Sequence, residues 1–146
     1  MDIIIREVDE KDYLALLPLW SQFGGYATAE NIVPHYKRVE NDERYKTFVA
    51  FVNDEAVGFI TSVLWYGIGV EGSYMMITGI AVSDKFQHNG IGTKLIQQME
   101  SYAKEIDVFH IHLNSGFKRI SAHTFYEHNG FEKGSYGFGK TINSAR

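Results

Sequence analysis

The apolar positions of the chain follow two periods. Short alternating or fully apolar runs recur between residues 3 and 113, and helical stripes stand between them. "IIIR" predicts a first strand over 3–6. Asp9 is placed to start a helix reaching about residue 23, with Leu14, Leu17 and Trp20 at helical spacing and a glycine pair to break it. A second helix is predicted over 28–39, although Pro34 is awkward inside it. "TFVAFV" and "AVGFITSVLWY" flank "NDE" and predict a hairpin. "GIGVEGS" then reads as a loop. "YMMITGIAV" is apolar on both faces, as a covered central strand requires. From Gly90 onward, Ile91, Leu95, Ile96, Met99, Tyr102, Ala103 and Ile106 form one helical stripe. "VFHIHL" alternates as the next strand. "RISAHTFYEHN" predicts a last helix stopped by Gly130, and "FEKGSYGFGKTI" one or two final strands. This order of elements predicts an α/β layered fold. No repeat, low-complexity tract or Pro/Ser-rich linker interrupts it, so 1–146 reads as a single domain.

Composition narrows the chemistry. With 45% hydrophobic and 22% charged residues, the chain has the make-up of a soluble globular protein. It has no cysteine, which excludes disulfides, thiol catalysis and thiolate metal sites. No apolar run is long enough to span a membrane. The opening "MDIIIREVDEKDY" lacks the basic start and long apolar stretch of a signal peptide, so a cytoplasmic protein is expected. A net charge of −4 argues against nucleic acid as a partner. Residues 1–55 hold 11 acidic and 6 basic side chains, a net −5, and 56–146 hold 7 and 8, a net +1. The acidic part suits a cationic ligand, and the rest tolerates an anionic one.

Between the apolar run ending at Val82 and the helical stripe lies Gln87-His88-Asn89-Gly90-Ile91-Gly92. A loop that opens a helix leaves backbone N–H groups unpaired at the helix start, and with the helix dipole these make an anion site. Glycines let a phosphate approach without a Cβ in the way. The pattern G-x-x-x-x-G-K-[ST] is absent, and G-x-G-x-x-G fails because Leu95 stands where its third glycine belongs.

Gln87, Gly90 and Gly92, as Q-x-x-G-x-G, resemble the acetyl-CoA pyrophosphate loop of the GNAT superfamily of N-acetyltransferases. Ala122, Tyr126, Gly130 and Phe131 resemble its A-x-x-x-Y-x-x-x-G-F helix. The resemblance covers nearly the whole chain. "LNSGFKRISAHTFYEHNGF" and "YGFGK" are similar, more narrowly, to aminoalkylphosphonate and aminoglycoside acetyltransferases. It implies a mixed, mostly antiparallel sheet with a splayed parallel strand pair, flanked by helices. It also implies acetyl-CoA as cosubstrate. Pantetheine would pair with free backbone groups of Ile80, Ala81 and Val82. Pyrophosphate would sit on the amides of Gln87, His88, Asn89, Gly90, Ile91, Gly92 and Thr93, with Asn114 and Ser115 reaching the same arm. Family members often carry Arg and Gly where this chain has His88 and Asn89, so side-chain charge contributes less to the phosphate site here. Arg119 stands where many relatives have Asn.

An amine attacking a thioester must lose a proton, the carbonyl must be polarised, and the leaving thiolate takes a proton. Tyr126 matches the family's general acid, and the N–H of Ala81 or Val82 is the candidate for the carbonyl. The base is open. "YMMITGIAV" has no carboxylate at Met76 or Thr78, where many relatives place one. Glu71 is the first substitute, with His110, His112, His123 or a water chain as others. His110 and His112 lack a third metal ligand, so no metal site is expected. Trp20, Tyr26, Trp65 and Tyr66 are candidates for an acceptor wall, with Glu30 or Glu71 meeting a cation. The expected activity is acetyl transfer to a primary amine of a small molecule. The alternatives are a protein N-terminal or lysine acetyltransferase, and a non-catalytic acyl-CoA-binding module. Pairing into a homodimer through "SYGFGKTI" stays open.

Overall fold

Four of the five strands lie beside their sequence neighbours as antiparallel ladders, and the fifth joins in parallel. The structure, a computed structural model, describes residues 1–21, 28–68 and 72–143. It divides into two units, Met1–Leu113 and Asn114–Arg146.

The first unit contains β1 (Ile4–Glu7), α1 (Tyr13–Trp20), α2 (Ala29–Val39), β2 (Tyr45–Val52), β3 (Glu55–Trp65), β4 (Ser73–Val82), α3 (Ile91–Glu105) and β5 (Val108–His112). The sheet runs β1-β2-β3-β4-β5, with β4 and β5 parallel. Local chemistry explains the turns. Asn53 and Asp54 take φ of 48° and 63° at the β2–β3 hairpin, a left-handed pair that Asn and Asp tolerate. Thr28 and Asn31 exchange hydrogen bonds of 3.3 and 2.8 Å and start α2 as a capping box. A 3₁₀ turn, Glu10–Asp12, precedes α1 where the sequence predicted plain helix. There the Asp12 carboxylate accepts from the Asp9 N–H at 2.7 Å and from both terminal nitrogens of Arg6 at 2.8 and 2.9 Å. Pro18 and Pro34 both lie inside helices. The carbonyls they leave without a donor belong to Leu14 and Glu30, residues exposed to water.

Two helix layers cover the sheet. On one face Leu16 and Leu19 of α1 pack with Val49, Phe59 and Ala81. Trp20, half-buried, packs against this cluster and stacks on Phe59 at 4.3 Å. The other face holds α3, whose Ile91, Leu95, Ile96, Met99 and Ala103 are buried as the stripe predicted, while Tyr102 is half-buried and Ile106, past the helix end, is exposed. Ser62 donates to the Met99 sulfur at 3.3 Å across that interface. Each of the four larger side chains, Ile91, Leu95, Ile96 and Met99, contributes about 1.5–3 kcal/mol of apolar burial. β4 carries a bulge: Thr61 pairs with Gly79 but Ser62 with Ile77, leaving Thr78 as the extra residue. Tyr74 and Met76 before the bulge therefore share the α1 face with Gly79 and Ala81 after it.

The second unit holds α4 (Ile120–His128). Gly130 ends it at φ 87°, with the Phe131 N–H donating to the Tyr126 carbonyl at 3.0 Å. The predicted final strands are absent: residues 131–143 form no strand. A strand exists only through a ladder partner, and this segment, loosened by Gly134, Gly137 and Gly139, forms no ladder within the second unit. Among the described residues, no helix is long and apolar enough to cross a membrane.

Candidate active site

The sheet opens at one place. β4 is laddered to β3 from Tyr74 to Val82, but β5 pairs only with Ser73, Tyr74, Met75 and Met76. Beyond Met76, the β5-side edge of β4 has no ladder partner among the described strands. Backbone N–H and C=O groups there must find other partners, so Ile80, Ala81 and Val82 lie on an edge that an extended ligand arm can complete.

That edge leads into the glycine loop. The Ser83 N–H donates to the Val57 carbonyl at 2.7 Å, and a 3₁₀ turn, Asp84–Phe86, follows. Gln87 Nε2 donates to the Val82 carbonyl at 3.4 Å and to Asp84 Oδ1 at 3.2 Å. Asn89 Nδ2 donates to the carbonyls of Phe86 and Gln87, each at 3.1 Å. The two amide side chains thus serve the loop's acceptors and leave its donors alone. His88 and Gly90 take φ of 63° and 77°, so the chain turns twice through the left-handed region. No side chain caps α3, and its first turn has no acidic residue to compete for the amides of Ile91, Gly92 and Thr93. A Cβ at Gly90 would point into open space. The structure brings Ile80, Ala81, Val82 and all seven loop residues into one continuous edge-and-cradle.

Gly58, unremarked in the sequence, holds this arrangement together. A Cβ there would lie 2.9 Å from the Ala81 carbonyl oxygen, 3.3 Å from Leu95 Cδ1 and 3.5 Å from Ile91 Cγ2. Only glycine lets β3, β4 and the first turns of α3 approach so closely. A glycine inside an otherwise apolar strand was the available signal.

Tyr126, Asn114 and Ser115 belong to the second unit. Burial raises the Tyr126 phenol above its ordinary 10, against a smaller lowering by Arg119, so it is protonated at neutral pH. Its ring meets Phe125 and Phe131 at 5.4 and 6.0 Å. Ser115 Oγ is buried with no hydrogen-bond partner among the described residues. The His123 Nε2 is engaged with the Gly116 carbonyl at 2.8 Å, a bond that staples α4 to the preceding turn. Glu71 and Tyr26 lie outside the described residues. Tyr66 is exposed, and Glu30 is exposed on α2. His110 and His112 stand together on β5, their rings 6.2 Å apart. Among the described residues, no group of three His, Asp or Glu side chains can hold a metal ion.

The acetyltransferase (GNAT) family profile matches residues 12–131. No curated protein sequence matches significantly. Among solved structures, AAC(6')-Iy in complex with the bisubstrate analogue CoA-S-monomethyl-acetylneamine superposes with TM-score 0.85 at 14% identity, covering 98% of this chain and 99% of that one. An aminoglycoside acetyltransferase from an uncultured soil metagenomic sample gives 0.84 at 22% identity, covering 97% of each chain. Glucosamine-6-phosphate N-acetyltransferase from Arabidopsis thaliana gives 0.84 at 15% identity, covering 98% and 100%.

Proposed function

Because the chain belongs to the GNAT acetyltransferase family, we propose that it transfers an acetyl group from acetyl-CoA directly to a primary amine of a small molecule. One observation carries the reading: the open edge of β4 runs without a break into a donor-rich, uncapped helix start. The edge fits an extended amide-bearing arm, and the loop fits a pyrophosphate. The solved neighbours support it by what they handle, one bound to a CoA bisubstrate analogue and another an acetyltransferase of a phosphorylated amino sugar. The whole of 1–146 is read as one such acetyltransferase domain.

Acetyl-CoA supplies the acetyl group as an activated thioester. The chain's own residues do the rest. Backbone groups of Ile80, Ala81 and Val82 hold the arm, and an N–H of Ala81 or Val82 polarises the thioester carbonyl. The amides from Gln87 to Thr93 hold the phosphates. Tyr126, held in its protonated form, donates to the leaving sulfur. Asn114 and Ser115 touch the same arm. These last three assignments rest on the match to the family pattern alone.

The test is thiol release from acetyl-CoA across a panel of small primary amines, in the wild type and in Tyr126→Phe. The wild type turns over, and the variant binds acetyl-CoA equally well with kcat about 10²-fold lower. Acetyl-CoA binding with no turnover on any amine, peptide amines included, would make the protein a binding module instead.

A further inference from the structure

Resting on the reading above, we propose that the ring cluster of Trp65, Tyr74, His110 and His112, at the fork of β4 and β5, is the acceptor subsite. It takes a primary amine with an apolar body, and His112 removes the proton from that amine.

Register puts the four rings on one face. Phe59 packs under α1, and Trp65 shares its parity on β3. Trp65 pairs with Tyr74, Tyr74 with His110, and Met76 with His112. Phe109 is skipped in the ladder, since Ser73 pairs with Val108 and Tyr74 with His110. That skip brings both histidines to the α1 face. The Trp65 ring meets Tyr74 at 4.9 Å and His112 at 6.1 Å, and Tyr74 meets His110 at 5.6 Å. Trp65 stays 39% exposed, so this is a reachable wall and not a sealed core.

Position gives the wall its use. Met76–His112 is the last pair before the β4 edge opens. An arm laid on that edge, with its phosphate end at Gly90, has its reacting end toward the fork. The amine must meet it there, and His112 is the proton acceptor at that point. Met76 and Thr78 on β4 offer no carboxylate for the purpose. Among its described members the cluster has no carboxylate either. It offers a cation ring faces, which suits one charge on an apolar body better than a polycation. Burial, and then the neighbouring His110, lower His112 below the usual 6.5, so it is neutral and ready to accept at pH 7.

The step balances simply. The ammonium gives one proton to the His112 imidazole, which later releases it to solvent. The freed lone pair forms the N–C bond to the acetyl carbonyl carbon. The C–S bond breaks, sulfur leaves with the electron pair and takes one proton, and the second proton that the nitrogen loses in becoming an amide makes up for it, so that one proton in all reaches solvent.

Phenethylamine is the probe and the full chain the sample. Ring-resolved NMR of the wild type, with CoA present, is expected to show shifts at Trp65, His110 and His112 on adding phenethylamine. His112→Gln is expected to keep acetyl-CoA affinity, lose about 10²-fold in kcat at pH 7, and lose the acidic limb of the kcat profile. The titratable neighbours of that limb are His110 on β5 and Tyr74 on β4, β3 contributing only the uncharged Trp65. Silent ring signals, an unaltered limb in His112→Gln, or a kcat/KM for a polycationic aminoglycoside above that for phenethylamine would each overturn the subsite while leaving acetyl transfer standing. A wild type that binds no acetyl-CoA would remove both.

Discussion

Replacing Gly58 by alanine tests whether strand packing sets the cradle. Freed of glycine's extra unfolded-state entropy, the variant gains about 0.4–1 kcal/mol. Against this, the new Cβ would sit 2.9 Å from a backbone carbonyl oxygen, that of Ala81, which cannot rotate away as a side chain can. Overpacking of this kind costs about 1–3 kcal/mol, so the net loss is about 0–2.6 kcal/mol, about 1.3 at the midpoints. At about 2–4 °C per kcal/mol, that midpoint lowers thermal unfolding by circular dichroism by about 3–5 °C. Valine at the same site also drives into Leu95 and Ile91 and falls further. Relief can come only by moving the β4 edge or the start of α3, the two parts proposed to hold acetyl-CoA. Affinity for acetyl-CoA, read by calorimetry, therefore falls in step with stability. A variant with unchanged unfolding temperature and unchanged affinity would refute the reasoning, because the close approach would then be doing nothing.

Gly90→Ala makes the opposite test: no atom lies within 4 Å of the new Cβ, but φ is 77°. It loses about 1–2 kcal/mol of stability from the left-handed strain, while acetyl-CoA binding drops at least about tenfold because the methyl occupies phosphate space. Equal binding in calorimetry would count against the cradle. Arg6→Ala leaves the Asp12 carboxylate, 7% exposed, without its two charged bonds and costs about 1–3 kcal/mol in urea unfolding. Burial opposes the charge on Asp12, but the Arg6 and Asp9 hydrogen bonds outweigh it and hold its pKa below 3.8. The gap between wild type and variant is thus full at pH 7 and closes as pH falls through the folded value below 3.8; a gap independent of pH would contradict the pairing. Since burial lifts Tyr126 above 10, kcat shows no alkaline loss from this group below pH 10; a loss centred near pH 8 that disappears in Tyr126→Phe would contradict that.

Local signals were legible where periodicity and turn chemistry agree. The α3 stripe, the Asn53-Asp54 hairpin and the apolar β4 run all appear where the pattern put them, and the glycine loop stands between strand and helix. What escaped the sequence depends on pairing at a distance. The bulge at Thr78 and the skip at Phe109 decide which side chains share a face, and neither leaves a mark in local alternation. Hence local alternation does not place Tyr74 beside Trp65 and the histidines, although "FHIH" puts His110 and His112 on one face. The predicted last strands failed for the same reason: aromatic and glycine residues at 134–139 read as strand only if a ladder partner is present. Trp20 shows the limit of residue type, since a tryptophan at helical spacing packs against the core through Phe59, a contact its identity alone does not announce.

The most direct test of the central claim is calorimetric titration of the full chain with acetyl-CoA, beside CoA lacking its 3′-phosphate. Micromolar binding of acetyl-CoA, weakened at least about tenfold in Gly90→Ala, is the predicted result. Absence of binding at millimolar acetyl-CoA would contradict the assignment of the β4 edge and the Gln87–Thr93 loop, and with it the catalytic roles built on them.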